Sequence, residues 1–199
     1  MAPQSTLQNP VYTGNSAIAA SRTPMTITFA PWMVESAHKY LKAANILYRA
    51  DPNLLHIASV NAALGLEILL KSFIANITKN EGKVHEKYRP NKDALKASHA
   101  ILKEKGEVGD RLDSHDLLLL FYAVPEEVRK AVNLHRFEIS IRTCRHVFAG
   151  SRYEYEAESP TGFCDTAIQA LNILVPNTVH YYKQHGCTDS WIISYPNVP

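Results

Sequence analysis

The segment from residue 53 to about residue 77 constrains the fold most, because it is apolar on almost every face of a helix. Leucine, isoleucine and alanine fill most of its positions, and Glu67 and Lys71 are its charged residues. A helix that is apolar all round must be covered by other elements on most of its sides. We therefore predict a central core helix. Because Glu67 and Lys71 interrupt it, we do not expect it to span a membrane.

The flanking segments predict further helices. Apolar residues recur at three- and four-residue steps from Trp32 to Tyr48, which is typical of an amphipathic helix that begins at Pro31. Strand-like sequence is scarce, so we predict an all-α, up-and-down helical bundle of four or five main helices. The remaining predicted helices are a short one at 94–102, one at 117–122, one from 126 towards 148 with a break near 136, and a last one at 162–185.

The two ends of the chain differ from this central part. Residues 1–31 contain four prolines among many polar residues, which predicts an irregular N-terminal arm, with a short strand allowed at 26–29. The helical domain is predicted to cover residues 32–185. Residues 186–199 are predicted to form an irregular C-terminal tail.

Composition narrows the class of protein. With 21 Lys and Arg against 19 Asp and Glu, the net charge of +2 argues against a uniformly basic nucleic-acid coat but allows a local basic patch. The three cysteines are too few for a disulfide scaffold and fit thiols in a reducing compartment. The N-terminus lacks the pattern of a signal peptide. We therefore predict a cytoplasmic protein with no membrane partner, and neither a metal site nor a cofactor is expected.

The strongest candidate site is a basic cluster late in the chain. On one continuous helix, Arg142, Arg145 and His146 would share a face, and Arg152 and Tyr153 would fold back beside them. Guanidinium groups bind phosphate through paired N–H donors, and histidine exchanges protons near neutral pH. Arg142 and His146 are therefore candidate catalytic residues, with the others as phosphate contacts. The alternative is a solvated basic face that is balanced by nearby glutamates, namely Glu138, Glu154 and Glu156.

Two further pairs of charged or titratable residues are candidate sites. Glu67 and Lys71 lie one turn apart on the most apolar helix, where an unpaired carboxylate is costly. They predict either a buried polar site or dimer contact, or an exposed stripe on an otherwise buried helix. His115 and Asp116 precede a leucine-rich helix whose N-terminus is suited to phosphate, although the pair equally suits a local cap. An oxygen of Ser114 or Asp113 is a candidate N-cap for the same helix.

Three segments together resemble the HEPN (higher eukaryote and prokaryote nucleotide-binding) domain family. These are the acid- and lysine-containing leucine run at 63–73, the His-Asp-Leu helix start at 115–121, and the Arg-Tyr segment at 151–155. The resemblance implies a bundle around two antiparallel long helices, often dimeric, that associates with nucleotides or RNA. Many members act in prokaryotic defence or toxin–antitoxin systems, and several are ribonucleases with an Arg and a His separated by four to six residues. In this chain Arg142 and His146 have three intervening residues.

From these features we expect a HEPN-like domain that binds RNA or a nucleotide, as a homodimer or beside a protein partner such as an antitoxin. One alternative is a metal-independent endoribonuclease that uses Arg142 and His146. The other is a non-catalytic interaction module that serves only dimerisation.

Overall fold

The computed structural model of the chain describes residues 28–83, 85–147 and 165–198, and this part is mostly helical. The predicted all-α character is thereby confirmed, with a small hairpin added. The elements are α1 (Pro31–Ala50), α2 (Leu55–Ser72), β1 (Ala75–Lys79), β2 (Lys87–Pro90), α3 (Lys92–Glu104), α4 (Leu117–Ala123), α5 (Glu126–Ala131), α6 (Glu138–Thr143), α7 (Thr166–Gln184) and α8 (Ser190–Ser194), with 3-10 turns at Pro52–Leu54 and Leu134–Phe137.

Helix α2 lies at the centre of the packing, as its sequence predicts. It contacts α1 most extensively, and it also packs against α7 and α4. Its core-facing residues are fully or almost fully buried, and they include Ala58, Ala62, Leu66, Leu69 and Leu70. The stretch Pro52–Ser72 has the length and the mean hydropathy, 1.5, of a candidate membrane span, and half of it is buried inside the protein. Its apolar surface is used for packing against the neighbouring helices.

Gly65 allows the close approach of α1 and α7 to α2. A Cβ added at Gly65 would lie 2.9 Å from Cδ1 of Leu171 in α7. It would also lie 3.1 Å from Cβ of Tyr40 and 3.2 Å from the backbone oxygen of Ala37. The contacts to α1 involve backbone-anchored atoms, which cannot move aside without shifting the helix.

We therefore expect Gly65→Ala to lower the free energy of unfolding. Overpacking costs about 1–3 kcal/mol, which outweighs the gain of about 1 kcal/mol in helix propensity. Urea denaturation would measure the change. The matched control is Gly109→Ala, since nothing lies within 4 Å of a Cβ added there. A Gly65→Ala protein that is more stable than the parent would show that the helices do not meet at this position.

The end of the central helix was predicted wrongly. The apolar run continues to residue 77, but α2 ends at Ser72, and Ala75–Lys79 forms β1. This strand pairs antiparallel with β2 and places Ile77 opposite Tyr88. The β-branched residues Ile77 and Thr78 favour a strand, and the partner strand lies beyond the reach of a local helical pattern.

The other helix boundaries follow from local signals. Asn91 caps α3, where its Oδ1 accepts hydrogen bonds from the backbone N–H groups of Asp93 and Ala94. The break predicted near residue 136 is present, since Asn133 adopts a left-handed conformation and a 3-10 turn separates α5 from α6. The predicted helix at 162–185 corresponds to α7, although residues 162–164 lie outside the described part.

The C-terminal segment contains an element that the sequence did not predict. Residues 186–199 were expected to be irregular, but Ser190–Ser194 forms α8. Its start is fixed by Asp189, whose Oδ1 accepts hydrogen bonds from the backbone N–H groups of Trp191 and Ile192. At the other end of the chain, residues 1–27 of the predicted arm, with half of its predicted strand, lie outside the described residues, and Thr28 and Phe29 of that strand are irregular.

Candidate functional site

Glu67 on α2 is a buried carboxylate with two cationic or polar neighbours. Its side chain is only 5% exposed, and its Oε1 lies 2.6 Å from Nζ of Lys71, which is one turn away. The same oxygen lies 2.9 Å from Nδ1 of His115. Glu67 and Lys71 are therefore a buried pair and not an exposed stripe of α2. Such a carboxylate needs partners of this kind, because an isolated charge in a core is strongly destabilising.

The contact with Glu67 orients the imidazole of His115. A carboxylate accepts hydrogen bonds, so we assign the ring proton that faces Glu67 to Nδ1. The side chain of His115 is 57% exposed. His115 is thus held by Glu67 of α2, while more than half of its side-chain surface faces solvent. This orientation is the geometry of a histidine that exchanges protons with a ligand.

Asp116 caps α4 and also carries a buried charge. Its Oδ1 accepts hydrogen bonds from the backbone N–H of Leu118 at 2.9 Å and of Leu119 at 3.3 Å. The predicted N-cap at Ser114 or Asp113 was therefore wrong, since the cap lies two or three residues further on. Asp113 instead accepts a hydrogen bond from the backbone N–H of His115 at 2.9 Å.

Arg145 binds Asp116 with two parallel hydrogen bonds. Its Nε donates to Oδ1 at 2.8 Å, and its Nη2 donates to Oδ2 at 2.5 Å. Nη2 also donates to the backbone oxygen of Glu107 at 3.1 Å. Since the side chains of Arg145 and Asp116 are 13% and 5% exposed, this is a largely buried, two-pronged ion pair. Arg145 therefore neutralises Asp116, and little of its guanidinium faces solvent.

Arg142 is more exposed and lies between two glutamates. Its Nη1 donates to Oε1 of Glu107 at 2.6 Å, and its Nη2 donates to Oε1 of Glu138 at 3.0 Å. The hydrogen bonds that Arg142 donates, first the one to Glu107 and then the one to Glu138, raise the pKa of its guanidinium above the usual value. Burial alone would raise the pKa of Glu138, but hydrogen bonds from Tyr122 and Arg142 outweigh it and hold that pKa below its usual range. The ion pair with Glu138 belongs to the alternative interpretation of the sequence, a solvated basic face that is balanced by nearby glutamates.

The predicted shared helix face of Arg142, Arg145 and His146 was wrong. Helix α6 ends at Thr143, and residues 144–146 form a turn. Arg142 and Arg145 nevertheless converge, because both approach the carboxylate of Glu107, at 2.6 Å and 3.6 Å. His146 is exposed and makes no hydrogen bond or ion pair with the described residues. Arg152 and Tyr153, the other predicted phosphate contacts, lie outside the described part of the chain.

These side chains form two clusters of contacts that meet at the adjacent residues His115 and Asp116, one around Glu67 and one around Arg142 and Arg145, and we call the two clusters together the polar network. The network includes residues of α2, of the loop that follows α3, of the start of α4, and of α6 with the turn after it. Its members are Glu67, Lys71, Glu107, His115, Asp116, Glu138, Arg142 and Arg145. The acids Glu67 and Asp116 are its innermost groups, each 5% exposed. His115, Glu138 and Arg142 are its outer groups, 57%, 37% and 35% exposed. We call His115, Arg142 and His146, an exposed residue that follows Arg145 in the chain, the rim of the network.

Sequence reasoning missed Glu107, which joins Arg142 and Arg145. It lies in a loop, 35 residues before Arg142, and no local pattern marks it. The one sequence feature that marks Glu107 is its position directly after Gly106, which follows the predicted helix at 94–102. Among the residues that the structure describes, no group of three His, Cys, Asp or Glu side chains is arranged to hold a metal ion.

No family model, curated protein or solved structure matches the chain. The chemistry of the polar network therefore carries the functional assignment.

Proposed function

We propose that the chain is a HEPN-like up-and-down helical bundle that binds RNA or a nucleotide through the rim of the polar network. One observation carries the proposal: the adjacent residues His115 and Asp116 bring two clusters of contacts together, one with segment 67–71 and one with segment 142–145. These are the segments from which phosphate-binding or buried polar residues were expected. The homodimer, an antitoxin-like partner and the cytoplasmic location stay predictions from the sequence.

The inner and outer groups of the network have different roles in this proposal. Lys71 and Arg145 neutralise the buried acids Glu67 and Asp116, so they position the site and do not bind the ligand. Each Nη of Arg142 carries a second N–H group beyond the one that binds Glu107 or Glu138, and the protonated form of His115 adds a donor, so that a phosphate oxygen can accept hydrogen bonds from both residues. The buried acids repel an anion that approaches more deeply. The ligand is therefore expected to stay at the rim, with an affinity that falls as salt rises.

Fluorescence anisotropy with a labelled single-stranded oligoribonucleotide tests this proposal. We expect Arg142→Gln and His115→Gln each to weaken binding by about tenfold, since a charged or bidentate contact contributes on the order of 1–3 kcal/mol. The slope of log affinity against log salt concentration should also be smaller for Arg142→Gln, by an amount that corresponds to about one phosphate contact. The matched control is Lys130→Gln, which removes an exposed cation that is paired with Glu126 on α5.

Binding that is unchanged in both rim variants, or reduced equally in Lys130→Gln, would contradict the proposal. Thermal denaturation of each variant separates lost binding from lost folding. A protein that shows no binding at all but forms a stable dimer would instead be an interaction module.

The Glu67–His115 contact favours a second candidate, a metal-independent endoribonuclease. A buried carboxylate that fixes the tautomer of an exposed histidine is an arrangement suited to proton transfer. In that reaction the imidazole of His115 accepts the proton of a ribose 2′-hydroxyl, and the 2′-oxygen attacks the phosphorus. The 5′-oxygen leaves and takes a proton from His146 or water, while Arg142 stabilises the charge on the phosphorane. The products are a 2′,3′-cyclic phosphate and a 5′-hydroxyl.

Incubation with RNA in excess EDTA separates the two candidates. The endoribonuclease cuts under these conditions, it does not cut a substrate with a 2′-deoxyribose at the scissile position, and His115→Gln abolishes its activity. The variant His146→Ala tests the catalytic pair that the sequence indicated. If the RNA stays intact while the protein still binds it, the endoribonuclease is excluded and the binding function is the remaining candidate.

A further inference from the structure

A cavity of about 760 Å³ lies apart from the polar network, between the start of α1, the turn that joins β1 to β2, and the segment that leads into α8. Its size falls within the range of small-molecule sites. Its walls combine aromatic rings and carboxylates. The aromatic side chains are Phe29, Trp32 and Trp191.

The aromatic walls are suited to a positive charge. Nζ of Lys39 already lies 5.2 Å from the centre of the Trp32 ring, so this ring attracts an ammonium group in the folded chain. Trp191 packs beside Tyr195 at a ring-centre distance of 5.4 Å, which fixes its position at the other side of the cavity. Both rings are partly exposed.

The carboxylates in the walls give the cavity a negative charge. Four acids line it, and the single lysine in the lining is Lys83. Even when Lys39, which pairs with Glu35, is counted, the acids outnumber the lysines by two. Two of the acids accept hydrogen bonds from neutral backbone donors. Oε1 of Glu86 accepts a hydrogen bond from the backbone N–H of Gly82 at 2.7 Å, and Asp189 accepts those of the α8 N-terminus. The acids are Glu35, Glu81, Glu86 and Asp189.

We propose that this cavity binds an organic cation that carries ammonium or guanidinium groups. Aromatic faces attract a partly desolvated cation, and the carboxylates add charge complementarity. An anionic ligand such as a nucleotide is repelled by the same acids. The cavity is therefore a second site, whose ligand is opposite in charge to that of the polar network, and it does not depend on the function proposed above.

The two tryptophans of the chain provide a direct measurement, because Trp32 and Trp191 both line this cavity. We expect spermidine to change the tryptophan emission in a saturable way, while sodium chloride at matched ionic strength does not. Glu81→Gln should weaken the apparent affinity by about fivefold, which corresponds to roughly 1 kcal/mol. Glu81 is an exposed turn residue, so its substitution is not expected to impair folding.

Glu126→Gln is the matched control, since it removes an exposed acid from α5, outside the cavity lining. It should leave the spermidine titration unchanged. A change in emission that does not saturate, or one that sodium chloride reproduces, would overturn the proposal. So would an affinity that Glu81→Gln and Glu126→Gln lower equally, because the effect would then be one of overall charge.

Discussion

Glu67→Ala is expected to lower the free energy of unfolding by about 3–5 kcal/mol, because it leaves a buried charge without its partner. Lys71 is only 15% exposed, and its ammonium lies 2.6 Å from the carboxylate that this substitution removes. The inner contact of His115 is lost at the same time. Urea denaturation monitored by circular dichroism measures the effect. Glu67→Gln, which keeps the volume and an acceptor oxygen, should lie between the parent and the alanine variant.

The matched control for this prediction is Glu35→Ala on α1. Glu35 and Lys39 have the same spacing along a helix and a similar distance of 2.7 Å, but Lys39 is 60% exposed. A pair of this kind, in which the ammonium group is largely exposed, contributes less than about 0.5 kcal/mol. Equal losses in the two alanine variants would contradict the interpretation of Glu67 as a buried anchor of the polar network.

Arg145→Ala is expected to lower the free energy of unfolding by about 3 kcal/mol, since it leaves the buried carboxylate of Asp116 uncompensated. The backbone N–H groups of α4 still bind Asp116, which limits the loss. Arg145→Lys keeps the charge but lacks the planar pair of donors, so an intermediate stability is expected. Arg142→Ala should be milder, at about 1 kcal/mol, because this side chain is 35% exposed. The same denaturation experiment compares all three variants.

The opposite order, with Arg142→Ala more destabilising than Arg145→Ala, would contradict the assigned roles. Arg142 would then be the structural residue, and Arg145 would be available for a ligand.

The helices were predictable where the pattern that defines them is local. Apolar residues at helical spacing located α1, α2 and α7, and the proline and acids at 125–127 located the start of α5. The hairpin was not predictable in the same way. Residues 75–79 continue the apolar run of α2, and their strand conformation depends on pairing with 87–90. The presence of a pairing partner beyond the turn does not change the pattern of apolar residues within the strand, so the strand cannot be recognised from that pattern.

The site was predictable only in part, for a similar reason. Burial of Glu67 on an apolar helix implied that it has a partner, and Lys71 was visible one turn away. The partner His115 is 48 residues distant, and Asp116 is 29 residues from Arg145, so neither contact has a local signature. Arg142 and Arg145 were predicted to lie close together because they would share a helix face. They do lie close together, but they do not share a helix. The two side chains meet through Glu107 and not through a common helix.

Side-chain NMR of histidine during titration with a single-stranded oligoribonucleotide tests the central claim most directly. If phosphate binds at the rim, the imidazole resonances of His115 and His146 shift together and saturate, while those of His38 on α1 and His180 on α7 stay in place. Resonances of His115 and His146 that do not move while the oligonucleotide binds would contradict the account.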